Sequence, residues 1–317
     1  MLEPPMTSER TPMFVDATCP VCGAGDARVL RQSSYPRDVS IEELEAMYSA
    51  SSDRALMDRV VECRNCGMVY LSPRLDAGLI QKGYESAEDP AFVAQNPQRI
   101  RTFASSVRSI LARTGLQPAG RRILDVGCAG GAFLVAARGA GFEVTGVEPC
   151  RWLGEYAREQ YGLDVRQGVL RPGLFPESSF DVIALWDVIE HVPDPHAVLT
   201  TVRSLLKDDG YLWINYPDMG SIAARLLRWK WPFWLSVHLH YYRRASMRRQ
   251  LKEAGFRVLY VRPHWQQLQF GYVLKRAAAL LPPLKPLAKV VSAIGLGSVP
   301  FSYNMGQTLM VARPERE

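Results

Sequence analysis

From Arg122 onward, short apolar runs alternate with amphipathic stretches. Ile123 to Val126 is a run of the kind that forms a buried strand, and it breaks into a turn carrying Gly127, Gly130 and Gly131. Ala132 to Arg138 then reads as a helix stopped by Gly139 and Gly141, and Glu143 to Val147 as a second strand ending in Glu148. The pattern continues with a helix to about Tyr161, a third strand over Leu163 to Arg166 and a fourth over Phe180 to Trp186. A helix over Ala197 to Lys207, with Leu199, Val202, Leu205 and Leu206 inward, leads through Asp209-Gly210 to a fifth strand, Tyr211 to Tyr216. Ser246 to Ala254 is the next helix, closed by Gly255, followed by a strand over Phe256 to Val261, and Gln307 to Arg313 is the last strand. Elements in this order predict an α/β fold with a doubly wound sheet.

Ahead of this half the pattern changes. Residues 1–15 read as a flexible tail. Residues 16–75 read as a small module, with short strands at Val60–Val61 and Met68–Leu71 and a helix over Ile41 to Ser49 that Ser40 would cap. Residues 76–118 form a helical connector or lid, because Phe92, Ile100, Phe103, Val107, Ile110 and Leu111 recur on one face. The main domain then runs over 119–317, with insertions near 219–244 and 264–303.

Composition narrows the class. A chain of 317 residues that is 47% hydrophobic and 22% charged is expected to fold as a soluble protein, one α/β domain plus a small module. The net charge of +6 is uneven, with basic residues crowded between Arg225 and Arg276. Such crowding suits an anionic ligand, a membrane surface, a nucleic acid or a solvated face. Residues 1–18 lack the apolar core of a secretory leader, and no run reaches the ~18 apolar residues of a membrane span, so a cytoplasmic location is expected.

The first candidate chemistry lies in the small module. Cys19-Pro-Val-Cys22-Gly23 and Cys63-Arg-Asn-Cys66-Gly67 are two C-x2-C turns, each followed by glycine. That spacing lets two thiolates from one tight turn reach a single ion, and two such turns complete a closed tetrahedral set for structural Zn2+. Disulfides are disfavoured where no secretory signal is visible.

The second lies in the glycine turn. A G-x-G-x-x-G dinucleotide fingerprint starting at Gly127 would need glycine where Ala129 stands, and Asp125 would repel a pyrophosphate. A carboxylate there suits a ligand with an ammonium and a sulfonium. At Asp125-Val-Gly127-Cys128-Ala129-Gly-Gly131 the sequence resembles the class I S-adenosylmethionine-dependent methyltransferases, whose first motif reads Asp-x-Gly-x-Gly-x-Gly. Ala129 replaces the middle glycine. Phe175-Pro-Glu-Ser-Ser-Phe-Asp-Val-Ile with Glu190-His191-Val-Pro-Asp-Pro resembles the branch that methylates small metabolites, quinone precursors and sugars. The resemblance runs over about 120–263 and resumes at 304–314.

It implies a Rossmann-like, seven-stranded sheet and S-adenosylmethionine as methyl donor. Asp125, Gly127, Cys128, Ala129 and Gly131 would hold the methionine end, Glu148 the ribose with Pro149 beside it, and Trp186 and Asp187 would border the methyl site. The family's adenine-binding acid is missing from Gln167-Gly168-Val169-Leu170, so the backbone at Gly168 and Val169 would take its place.

His191, with Glu190 beside it, is the candidate base for a hydroxyl acceptor, and His240 or His238 of the first insertion is an alternative. Asp187, Glu190 and His191 are also a partial set of ligands for a divalent ion, completed by His238 or His240. The aromatic residues of 219–244, among them Trp229, Trp231, Phe233 and Trp234, suit either an acceptor-binding cap or a hydrophobic plug. Basic amphipathic helices in 264–303 suit a peripheral membrane contact, a lid or a dimer surface. Zinc modules ahead of such domains resemble those of sugar methyltransferases, which favours a small, sugar-type acceptor. The rival readings are an RNA-binding or RNA-modifying enzyme, against which the lack of an RGG or RNP-like pattern argues, and an inactive cofactor-binding scaffold.

Overall fold

The computed structural model describes residues 13–35, 40, 43–44, 56–85, 88–280 and 282–315. The chain opens with β1 (Phe14–Val15), β2 (Ala27–Arg31), β3 (Val60–Cys63), β4 (Val69–Leu71) and β5 (Arg74–Leu75). Most of the expected helix over 41–49 lies outside the described residues. Its start is visible, since Glu43 and Leu44 are helical and the Glu43 amide donates to Ser40 Oγ while the Ser40 amide donates to Glu43 Oε2.

Three helices follow: α1 (Ala77–Glu85), α2 (Pro90–Val93) and α3 (Asn96–Thr114). α2 begins at a proline, where the missing amide costs nothing, and the Asp89 side chain accepts from the Phe92 amide. α3 ends at Gly115 in the left-handed conformation, and its Val107 and Ile110 are fully buried.

The main domain runs β6 (Arg122–Val126), α4 (Ala132–Gly139), β7 (Glu143–Glu148), α5 (Arg151–Tyr161), β8 (Asp164–Gln167), β9 (Phe180–Trp186), α6 (Pro195–Leu205) and β10 (Leu206–Pro217). It continues with α7 (Ile222–Leu227), β11 (His240–Tyr241), α8 (Arg244–Glu253), β12 (Phe256–Pro263), β13 (Gln266–Gln269), α9 (Phe270–Leu280), α10 (Lys285–Ala293), β14 (Pro300–Tyr303) and β15 (Gln307–Pro314). Seven strands make one sheet in the order β12-β15-β10-β9-β6-β7-β8. β8, β7, β6, β9 and β10 are parallel, and β15 lies antiparallel between β10 and β12. This is the expected Rossmann-like sheet. All seven residues of β9 are buried, so the strand carries apolar side chains on both faces, each contributing roughly 1.5–3 kcal/mol.

β10 starts earlier than the apolar run suggests. Helix α6 stops at Leu205, and Leu206 already pairs with Phe180, with an irregularity before Tyr211 pairs with Val182. Gly210 sits in that irregularity because a Cβ there would lie 2.9 Å from the Lys207 carbonyl oxygen and 3.1 Å from that of Asp181.

The insertion over 219–244 does not stand over the ligand as an acceptor cap. Its β11 pairs antiparallel with β4 and completes a second sheet, β11-β4-β3-β2, with the N-terminal strands. Trp231, Trp234 and Tyr241 are buried in one cluster with Leu56, Val60, Leu71 and Ile80. The plug reading is the one the packing supports, because these rings fill the seam between the N-terminal strands and the main domain. The second insertion is not purely helical either: β13 and β14 form an antiparallel ribbon from which α9 and α10 extend.

Candidate functional site

A cleft of about 560 Å3 opens beyond the carboxyl ends of β6, β7 and β9, the place where doubly wound sheets bind ligands. Its floor is the turn after β6. The chain there takes the left-handed conformation at Gly127 (φ 69°) and at Ala129 (φ 46°). Ala129 holds that conformation with a side chain, at the position where the resemblance expects glycine. The Gly127 and Cys128 amides donate to the Val147 carbonyl, which ties the turn to β7.

Asp125, at the end of β6, is 2% exposed, and its Oδ1 has no hydrogen-bond partner among the described residues. Burial, reinforced by the negative charge of Glu148, pushes its carboxyl well above the ordinary range. Glu148 closes β7 and is buried as well. Its Oε2 accepts from the Ala129 amide at 2.7 Å and its Oε1 from the Cys150 amide at 2.8 Å. Burial outweighs those two amides and pushes the carboxyl up to about 7.

Pro149, Gly168, Val169 and Cys128 also line the cleft, and the Gly168 amide donates to the Glu148 carbonyl. Gly131 does not. It caps α4 in the left-handed conformation, and a Cβ there would lie 2.5 Å from Leu163 Cδ1 and 3.1 Å from Ala157 Cβ, so its smallness serves packing of α4 against α5 and the residue before β8.

Trp186 and Asp187 form the opposite wall. The Trp186 ring meets Phe103, Phe133 and His264 at centroid distances of 5.1, 5.2 and 5.2 Å. Asp187 stands at φ 55° and accepts from Asn215 Nδ2 at 2.7 Å and from Gln307 Nε2 at 2.7 and 2.8 Å. Burial pushes its carboxyl up to about 6 against those donors.

The three residues read as catalytic separate. His191 reaches the cleft, whereas Glu190 and His240 are 1% exposed and are not on its wall. His240 is a correction to the sequence reading. It belongs to β11, and its Nε2–H donates to the Val192 carbonyl at 3.1 Å, behind the loop rather than over the ligand. Burial lowers His191 to about 4, so its imidazole is neutral at neutral pH.

The sequence missed the far wall. Tyr84, Phe92, Asn96, Arg99 and Phe103 come from α1, α2 and α3 and close over the glycine turn. Asn96 Nδ2 donates to the Gly130 carbonyl at 3.0 Å, and Gly130 has no room for a side chain because Val93 Cγ1 would lie 2.9 Å from its Cβ. The polar residues on the non-apolar side of this helical segment were the available signal.

Outside the cleft, Cys19, Cys22, Cys63 and Cys66 bring four sulfurs within 4.8 Å of one another. Cys19–Cys66 and Cys22–Cys63 are 3.4 and 3.5 Å apart. The two turns are alike: the Gly23 amide donates to the Cys19 carbonyl and the Gly67 amide to the Cys63 carbonyl, with both glycines left-handed. Zinc bonded at ~2.3 Å spaces its thiolates by roughly 3.8 Å, so the cluster fits that ion.

Comparison with known proteins agrees with the fold. The family described as a methyltransferase domain matches residues 97–261, just over half of the chain. The chain belongs to that family, and the matched region is a class I S-adenosylmethionine-dependent methyltransferase domain. A ubiquinone biosynthesis O-methyltransferase of Xanthomonas axonopodis pv. citri is 34% identical over 128 residues, covering 38% of this chain and 54% of that protein. One of the same name from Neisseria meningitidis serogroup C is 37% identical over 105 residues, covering 30% and 44%. The chain thus spans about half the length of the curated relatives it matches. A chain in the complex of the Haloferax volcanii Trm112 methyltransferase activator with a methyltransferase shares the fold, with 17% identity and a TM-score of 0.50 over 73% of this chain and all of that one.

Proposed function

We propose that the chain transfers a methyl group from S-adenosylmethionine to a hydroxyl of a small molecule. The observation that carries this reading is Asp125. A buried carboxylate with an unpartnered oxygen, facing a cleft at the carboxyl end of β6, calls for a cationic or donor-rich ligand. The donor supplies an electrophilic methyl on a sulfonium. Asp125 and the Gly127–Ala129 turn take its amino-acid end, and Glu148 accepts from the ribose hydroxyls while its amide bonds keep it oriented. The Gly168–Val169 backbone borders the adenine. Trp186, Phe103 and Phe133 keep the reacting end dry, and His191 stands at the acceptor side. Positioning two reactants in line in such a site contributes up to ~7–11 kcal/mol. Glu190 and His240 have no contact with the reacting atoms in this reading.

The relatives named ubiquinone biosynthesis O-methyltransferase support oxygen as the accepting atom. A sugar or phenol hydroxyl meets the same chemistry. The four-cysteine cluster holds a structural Zn2+ that ties β3 and the turn after Pro20 together, with no open coordination position and no catalytic task. The proposed division is a module over 16–75, a connector over 76–118 that walls the cleft, and the methyltransferase domain over 119–317.

We also propose that the second insertion touches an anionic membrane surface. Leu287, Val290 and Ile294 of α10 and its C-terminal end are 47–61% exposed beside the exposed Lys285 and Lys289, and no acidic residue occurs between Glu253 and Glu315. Co-sedimentation with phosphatidylglycerol but not phosphatidylcholine vesicles supports this, and equal behaviour with both removes it.

The test of the main reading is calorimetric titration of the full chain with S-adenosylmethionine, then transfer of the radiolabelled methyl group to panels of phenols and sugars. Absence of donor binding ends the proposal. Donor binding with label found only in tRNA would replace the acceptor.

A further inference from the structure

Behind the acceptor side of the cleft, Glu190, His191 and His238 each offer one ligand atom, and the three atoms lie within 4.8 Å of one another. Glu190 is 1% exposed, and neither carboxylate oxygen accepts a hydrogen bond from another of the described residues. His238 is 5% exposed, and its ring meets that of His191 edge-on at 4.7 Å.

The tautomers follow from the backbone. His191 Nδ1 lies 2.9 Å from the Val237 carbonyl and 2.7 Å from the Tyr84 hydroxyl, and His238 Nδ1 lies 2.8 Å from the Phe233 carbonyl. A bare Nδ1 would set its lone pair against the carbonyl oxygen, so both Nδ1 atoms carry the proton, the Tyr84 oxygen accepts at His191 beside Val237, and both Nε2 atoms present a lone pair. Two imidazole lone pairs and a carboxylate therefore converge with no donor among them. His191 Nε2 and Glu190 Oε1 are 3.9 Å apart, too far for one proton to bridge as a hydrogen bond. A metal ion bonded to both at ~2.0–2.2 Å spans that separation with a small contraction. Imidazoles oriented by Nδ1–H bonds to carbonyls are also the arrangement metal-binding histidines use.

We propose that Glu190, His191 and His238 hold a divalent transition-metal ion whose remaining positions face the cleft past His191. Two imidazoles and one carboxylate favour Zn2+, Mn2+, Co2+ or Fe2+ over Mg2+ or Ca2+. Asp187, part of the ligand set expected from the sequence, is not in this one, because Asn215 and Gln307 occupy it. The functional consequence rests on the reading of the cleft as a methyl-transfer site. An acceptor hydroxyl bound to the ion loses its proton to water more readily, its oxygen takes the methyl group, and the sulfonium becomes a thioether. His191 then acts as a ligand rather than as a free base.

The experiment is a Mn2+ titration of the chelator-treated full chain, with free Mn2+ read by electron paramagnetic resonance. A four-thiolate cluster disfavours this ion. We expect one Mn2+ per chain, held more than roughly tenfold more weakly by Glu190→Gln and by His238→Gln, while both variants keep S-adenosylmethionine binding. No Mn2+ on the wild-type chain, or undiminished binding in both variants, overturns the site. Should a variant melt early, electron spin-echo spectra of the wild-type chain decide: imidazole nitrogen couplings to the bound Mn2+ support the site, and their absence overturns it. Donor binding measured on the same samples separates this outcome from failure of the methyltransferase reading.

Discussion

The Ala129 amide donates to Glu148 Oε2 at 2.7 Å, linking the glycine turn after β6 to the last residue of β7. The bond fixes a strained, left-handed Ala129 and leaves the Glu148 carboxylate buried with a raised pKa. Burial moves that carboxyl from 4.5 to about 7, so the stability it contributes to the ligand-free protein is fully present below about 4.5 and lost as pH rises through about 7. Ribose hydroxyls donate to the ionised form. Affinity for S-adenosylmethionine is therefore expected to rise as pH increases through about 7, and Asp125, whose carboxyl burial also holds well above its ordinary range, adds to the rise. Glu148→Gln should flatten that step and cost ~10–100-fold in affinity, the value of hydrogen bonds to a charged group. Asp187, at about 6, adds a lower step that the variant leaves in place. Calorimetry from pH 5.5 to 8.5 (roughly the span the raised carboxyls cover) reads both, and an unchanged profile removes Glu148 from the ribose.

Asp125 should separate folding from binding. Its buried Oδ1 has no partner among the described residues, so Asp125→Asn relieves a desolvated carboxyl in the ligand-free protein. We expect Tm to rise by a few degrees, on the order of 1 kcal/mol, while donor affinity falls ~10-fold or more. Thermal melts with and without S-adenosylmethionine give both signs. A loss of stability without ligand would mean that Asp125 is a structural anchor instead.

Most of the sheet was legible in the chain because a strand buried on both faces must be apolar almost without interruption, as Phe180 to Trp186 is. The floor of the cleft was legible for a related reason: Asp125 and Glu148 are charges at strand ends, where an apolar run has no use for them. The far wall was not, because Asn96 and Arg99 meet the turn only through the docking of α3, and periodicity shows which face packs but not what the other face covers. The role of residues 219–244 stayed open between a cap and a plug for the same physical cause. A buried aromatic seam and an aromatic ligand cap have the same composition, and only the pairing of His240 with Tyr70 tells them apart.

The four-cysteine cluster gives a prediction independent of the cleft. Cys63→Ser should remove one thiolate-bound zinc per chain, measured as zinc released by an organomercurial, and should open the sheet that β3 and β4 share with β11. Donor binding should survive below the lowered melting point, because none of the four cysteines lines the cleft. Wild-type protein that releases no zinc under this treatment excludes the structural ion.

The aromatic seam makes the last prediction. Trp231 is 2% exposed, is absent from the cleft wall, and its Nε1 donates to the Met305 carbonyl at 2.6 Å. Trp231→Ala leaves a ring-sized cavity between the N-terminal sheet and the main domain, a loss of ~3–5 kcal/mol. Tm should fall on the order of 10 °C, and the folded fraction should keep its KM for donor and acceptor, because the ring touches neither. Had the insertion been an acceptor cap, the same change would raise the acceptor KM and leave Tm nearly where it was. Melting curves and initial rates taken on one preparation distinguish the two, since a plug acts through the amount of folded protein and a cap through the affinity of each molecule.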